Sequence, residues 1–159
     1  MKKLWMVLAA ATLGLTACEK EFGGFLPQEV EMMLTTRYSE AQASSIQGFI
    51  DQRYPAARIV EIDGEHGMTE IEIIDGRIKR ELYFDVSANW VRTVTDILHA
   101  ELPQAVREAF AASEYAPYRL DDIKFVESPD GDYYRLEVEI HDNDIYLHYD
   151  ATGTLLPQQ

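Results

Sequence analysis

The sequence predicts an α+β fold: two tandem helix-plus-four-stranded antiparallel repeats, with the helices packed on one sheet face. Three observations carry that reading. Short segments alternate apolar and polar residues between Gly, Asp and Asn turns, as half-buried strands do. Leu82-Tyr-Phe-Asp85 returns as Leu147-His-Tyr-Asp150, an offset of 65 that also relates Ile71 to Leu136 and Trp90 to Leu155. Leu26-Pro-Gln-Glu-Val30 returns as Leu102-Pro-Gln-Ala-Val106, ahead of each set of strands. A repeat of this period marks duplicated units, each too small to bury its apolar face alone.

The elements follow in order. Pro27 and Pro103 fit the first position of a helix, where a missing N–H costs nothing. Val30, Met33 and Leu34 form an apolar face, as do Val106, Ala109 and Phe110. The first unit holds a further helix. Ser39 caps it with Gln42 three residues on, Ile46, Phe49 and Ile50 form its stripe, and Tyr54-Pro55 ends it. Strands are expected at 59–62, 69–74, 77–85 and 90–93, with turns at Glu65-His66-Gly67 and Asp75-Gly76. The second round gives 123–127, 133–141, 145–150 and 154–156, with turns at Pro129-Asp130-Gly131 and Asp142-Asn143-Asp144.

The first 17 residues read as an export signal. Lys2 and Lys3 precede an apolar run, Leu4 to Leu15, short for a membrane span. Leu15-Thr-Ala-Cys18 resembles the lipobox of bacterial lipoproteins, which implies cleavage before Cys18 and acylation of that residue. Several acyl chains hold firmly where one holds weakly. Cys18 is the only cysteine, so it has no disulfide partner. Residues 18–25 are then anchor and tether, 26–95 the first repeat and 96–159 the second, together one structural domain. The expected location is the envelope of a Gram-negative bacterium, as an outer-membrane lipoprotein facing the periplasm or the cell surface.

Charge narrows the partners. The chain carries 14 basic and 28 acidic residues, net −14. Loss of Lys2 and Lys3 takes this to −16, which argues against nucleic acid and against adsorption to anionic membrane. Beyond the membrane reached through Cys18, the expected partner is a protein or peptide, basic in character.

The order helix, "YPAARIVEI", alternating strand, "LYFD" with Trp90 five residues beyond Asp85, then "LPQAV" and a second round is similar to the PepSY-like family of exported bacterial proteins. The resemblance spans Leu26 to Leu156 and implies the fold of the β-lactamase inhibitory proteins. The chain departs from the pattern in its extra helical stretch before Ser39 and in Asn89, placed against the glycine Gly153 of the second turn. The related fold inhibits an enzyme through a surface of this kind, but no residue motif for inhibition stands in this chain.

No catalytic set is nominated, and no cofactor or metal is expected. Asp85 and Asp150 end strands before Ser87-Ala88 and Thr152-Gly153, where a carboxylate accepts turn N–H groups. Asp142-Asn143-Asp144 lacks the later glycine and glutamate of a calcium loop. The four histidines, His66, His99, His141 and His148, lack zinc-site spacing. Alternation instead places Tyr83, Tyr133, Arg135, Tyr146 and His148 on the face turned from the helices, the expected partner-binding set. The reading is a non-catalytic, lipid-anchored binding module using this open face. The alternative is an envelope sensor or small-ligand carrier with a pocket between helices and sheet.

Overall fold

The computed structural model describes residues 24–141 and 143–157, without the side chain of Glu65. Cys18 and the rest of residues 1–23 lie outside the described residues. Two helices lead, α1 (Pro27–Thr35) and α2 (Glu40–Arg53). Four strands follow: β1 (Arg58–Glu65), β2 (Met68–Asp75), β3 (Ile78–Phe84) and β4 (Trp90–Asp96). A single 3₁₀ turn at His99–Glu101 and a short helix, α3 (Gln104–Ala111), lead into β5 (Arg119–Glu127), β6 (Tyr133–Ile140), β7 (Asn143–Tyr149) and β8 (Leu155–Leu156). All eight strands form one antiparallel sheet in sequence order.

Local chemistry explains the helix limits. Ser39 and Gln42 form a reciprocal capping box: the Gln42 N–H reaches the Ser39 hydroxyl at 3.4 Å, and Gln42 Oε1 accepts the Ser39 N–H at 3.1 Å. The helix stops at Tyr54 before Pro55. Pro27 occupies the first turn of α1, whereas Pro103 stands one place earlier in α3, as its N-cap. The expected equivalence of the two prolines is therefore off by one position.

Three hairpin turns also move. The β1–β2 turn is His66-Gly67 rather than Glu65-His66-Gly67, because Glu65 pairs with Met68. The β2–β3 turn is Gly76-Arg77, not Asp75-Gly76, because Asp75 still pairs with Ile78. Gly76 takes φ 66° as the first turn residue, a position suited to glycine. Asn143 and Asp144 belong to β7 rather than to a turn, and Asp142 lies outside the described residues. Strands β4 and β5 run further than expected, to Asp96 and from Arg119. β4 is extended by its pairing with β5, up to Asp96↔Lys124, and β5 by its pairing with β6, from Arg119↔Glu139.

The helices share one sheet face, over two apolar clusters. Val30, Leu34, Ile46 and Ile50 pack on Ile71, Ile73, Leu82 and Phe84. Leu102 and Val106 pack on Ile123, Leu136, Val138, Leu147 and Tyr149. Burying each large aliphatic side chain contributes roughly 1.5–3 kcal/mol. Between the clusters runs a polar seam. Arg53 reaches Glu127 at 2.7 Å, the Tyr54 hydroxyl lies 3.5 Å from Thr93 Oγ1, and Arg80 donates to Thr95 at 3.0 Å while lying over the Tyr54 ring.

The β3–β4 and β7–β8 turns are built alike. Asp85 Oδ1 accepts the N–H groups of Ser87 and Asn89, both at 2.8 Å. Asp150 Oδ1 accepts those of Thr152 and Thr154, at 2.8 and 3.0 Å. The left-handed residue is Ala88 (φ 65°) in one and Gly153 (φ 84°) in the other. Ala88, not Asn89, thus stands where the second turn has its glycine, and the offset of 65 agrees.

Candidate functional site

The sheet face away from the helices carries the candidate surface. Cross-strand register sets its rows. Glu81, Val94, Val126 and Tyr133 lie side by side across β3 to β6. Asp96, Lys124, Arg135, His148 and Leu156 make the next row, across β4 to β8. Tyr146 stands opposite Glu137, and Tyr83 opposite Arg92. Strand alternation puts all of these on one side.

Four of the five expected residues meet directly. The Tyr133 and His148 rings are 4.7 Å apart at 34°. Arg135 is the cross-strand partner of His148, and its guanidinium carbon lies 5.4 Å from the Tyr146 ring centroid. Tyr146 is 40% exposed. Burial, helped by the Arg135 charge, pushes the His148 imidazole below its ordinary value, so the ring is neutral at neutral pH.

Tyr83 is placed differently. It faces away from the helices, yet it is only 7% exposed. Val94 and Val126 pack with it, joined by Met68, Val91 and Tyr133, and the Arg92 guanidinium covers its ring at 4.1 Å. Its hydroxyl donates to Glu81 at 3.3 Å, and burial raises its pKa well above the usual phenol range. Tyr83 therefore supports the surface more than it presents one. The apolar strip of Val91, Val94 and Val126 and the cover by Arg92 were not among the expected site residues. Val94 lay beyond the expected end of β4, and Arg92 gains its meaning only from the register that sets it across from Tyr83.

Carboxylates rim the strip. Lys124 bridges Asp96 at 2.8 Å and Asp122 at 3.2 Å. Arg119 bridges Asp121 at 3.0 Å and Glu139 at 2.6 Å. Burial first, then the charges of Asp144, Asp122 and Asp121, raises the Glu137 pKa. The five rim acids Asp121, Asp122, Glu137, Glu139 and Asp144 make that end of the face electronegative. Among the described residues no three His, Cys, Asp or Glu side chains converge as a metal site. Among the same residues no helix is long and apolar enough to cross a membrane.

Comparison with known proteins agrees with this architecture. No curated protein matches the chain. A BLIP-like protein from Bacteroides fragilis is 27% identical with a TM-score of 0.65, over 73% of this chain and 84% of that one. A DUF2874 family protein from Bacteroides uniformis shares the fold at 24% identity and a TM-score of 0.64, over 72% of this chain and 86% of that one. So does a protein from Bacteroides eggerthii described as "putative periplasmic", at 24% and 0.62, over 72% and 86%. The family model described as "Putative beta-lactamase-inhibitor-like, PepSY-like" matches residues 68–157, from the first residue of β2 to just past β8. The chain belongs to this PepSY-like, β-lactamase-inhibitor-like family.

Proposed function

We propose that the protein is a non-catalytic binding module of the Gram-negative cell envelope, engaging a protein or peptide through its open sheet face. The observation that carries this reading is the contiguous group of Tyr133, Arg135, Tyr146 and His148 on the face that the helices leave bare. Aromatic and arginine side chains supply much of the binding energy at interfaces, with acids at the rim. A net charge of −14 favours a basic partner and steers its approach. The module is anchored to the outer membrane through acylated Cys18, facing the periplasm or the cell surface. Its two halves are tandem repeats, a reading supported by the matching Asp85 and Asp150 turns. The carrier reading has less support. Apolar clusters fill both helix–sheet contacts, whereas grooves of about 530 and 560 Å³ lie between α1 and α2 and along α3.

Capture of a partner from envelope extract tests the surface. Arg135→Ala and Tyr146→Ala should leave folding intact and weaken capture by about 1–2 kcal/mol each. Capture should also fall as salt rises. Equal recovery of one partner by wild type and the double variant excludes the open face. Cys18→Ser should release the protein from membranes, and a processed variant still in the membrane fraction excludes the lipid anchor.

A further inference from the structure

Two places on the open face share a plan and differ in the charges around it. In the first, Met68, Val91 and Tyr83 pack together, and Arg92, the cross-strand partner of Tyr83, lays its guanidinium 4.1 Å from the ring centroid. The offset of 65 maps Met68 to Tyr133, Tyr83 to His148, Val91 to Leu156 and Arg92 to Pro157. The second place therefore keeps a ring at His148 and gains one at Tyr133, and the two rings lie 4.7 Å apart at 34°. His148 has two cross-strand partners: Arg135, which stands where Tyr83 has Glu70, and on the cavity side Leu156, which brings no charge.

A cavity of about 340 Å³ opens at this second place. Tyr133, His148 and Leu156 wall it, together with Asp130, Asp132 and Asp150. Asp132 Oδ1 accepts the Ser128 N–H at 3.2 Å, and Asp150 Oδ1 serves its own turn. A carboxylate accepts at both oxygens, so turn-holding does not exhaust either group.

We propose that this cavity receives an arginine side chain of the partner polypeptide, seated on the Tyr133–His148 rings between the three carboxylates. A guanidinium is planar, stacks on ring faces and pairs with carboxylates in the same plane. The chain makes that contact for itself at Tyr83 with Arg92. A neutral imidazole suits the site, because a charged one would repel the cation. Arg135 lies on the far side of His148, toward Tyr146. The proposal rests on the open face being the binding surface and names the anchor that the face takes.

The test uses two probes, acetyl-arginine amide and its neutral isostere acetyl-citrulline amide, titrated into the labelled Cys18→Ser chain and followed by NMR. The arginine probe should shift the amides of Gly131, Tyr133, His148 and Leu156 in a saturable way. The citrulline probe should bind at least about fivefold more weakly, as expected for loss of a cation–π and ionic contact. Asp130→Asn with Asp132→Asn, both exposed, should weaken the arginine probe by a similar factor at unchanged Tm. Tyr133→Leu should weaken it while keeping the wall apolar. Shifts confined to other residues, equal binding of both probes, or an Asn variant that binds as wild type overturns the proposal. If the probe fails while Arg135→Ala and Tyr146→Ala still lose capture, the cavity is wrong and the open-face reading stands. If the probe binds while those variants capture normally, the cavity is right and the wider face is not the interface.

Discussion

Asp85 and Asp150 hold their turns with the same hydrogen bonds, yet the left-handed residue is Ala88 in the first and Gly153 in the second. The helix layers above them explain the difference. A Cβ on Gly153 would lie 2.5 Å from the Ala105 carbonyl oxygen and 3.2 Å from the Ala109 Cβ, so α3 sits directly on that turn. Over the first turn the neighbour is a side chain: the Tyr38 hydroxyl donates to the Asp85 carbonyl at 2.8 Å, and the Ala88 methyl packs into the apolar cluster. One half brings helix backbone against its turn and needs glycine. The other covers its turn with long side chains and tolerates a methyl. The same contrast appears two positions on. Trp90 stacks on Phe49 at 5.3 Å under Arg53, whereas its counterpart Leu155 is 53% exposed. Fourteen residues of α2 against eight of α3 account for the fuller cover.

The comparison can be broken most forcefully at the core. Phe84 is 1% exposed and meets Phe49 edge-on at 5.6 Å. Phe84→Ala should cost about 3–5 kcal/mol in chemical denaturation. Amide exchange should quicken in β1–β4 more than in β5–β8, because the two apolar clusters are separate. An unchanged melting curve would place Phe84 outside the core.

The turns give the next two effects, of opposite sign. Gly153→Ala should destabilise by about 1–3 kcal/mol, since it adds both left-handed strain and a clash with backbone. Ala88→Gly should stabilise by up to about 1 kcal/mol, since it relieves strain where space is not the constraint. Paired Tm measurements check both. Equal and small changes at the two sites would mean that α3 does not press on its turn.

The smallest effect is electrostatic. The Asn89 side chain, then the Asn89 and Ser87 N–H groups, hold Asp85 below its usual value. The Thr152 hydroxyl, then the Thr154 and Thr152 N–H groups, do the same for Asp150. A folded pKa below the unfolded one gives stability that is present above the unfolded value, near 3.9, and lost as pH falls through the folded value. Asp85→Asn and Asp150→Asn should each flatten the acid limb of a Tm–pH curve and leave its neutral region parallel to wild type. A slope change near neutral pH would contradict the assignment.

Much of this was legible in the sequence because it is local. Ser39 with Gln42, the alternation of Leu136, Val138 and Ile140, and the Asp-led turns depend on neighbours within a few residues. The eight strands and the three helices each began as such a pattern. The site was legible only in part. Alternation puts Tyr83 on the open face, but its burial comes from Val94 and Val126 on other strands and from the reach of Arg92. The length of β4 depends on β5, 23 residues past its end by chain order, since Asp96 pairs only because Lys124 and Phe125 arrive beside it. Such contacts have no signature within one segment.

The polar seam between the clusters has a consequence for how this molecule can vary. Only four register pairs, Thr93↔Glu127 to Asp96↔Lys124, join β4 to β5, and on the helix side the junction is bridged by the Arg53–Glu127, Tyr54–Thr93 and Arg80–Thr95 contacts rather than by interlocked aliphatic side chains. Packing strain does not pass readily across such a junction, so substitutions in one cluster should combine additively with those in the other. Each half's helix-covered core can then drift at its own pace, whereas on the open face Tyr83, Val94, Val126 and Tyr133 pack across the junction and tie the two halves together.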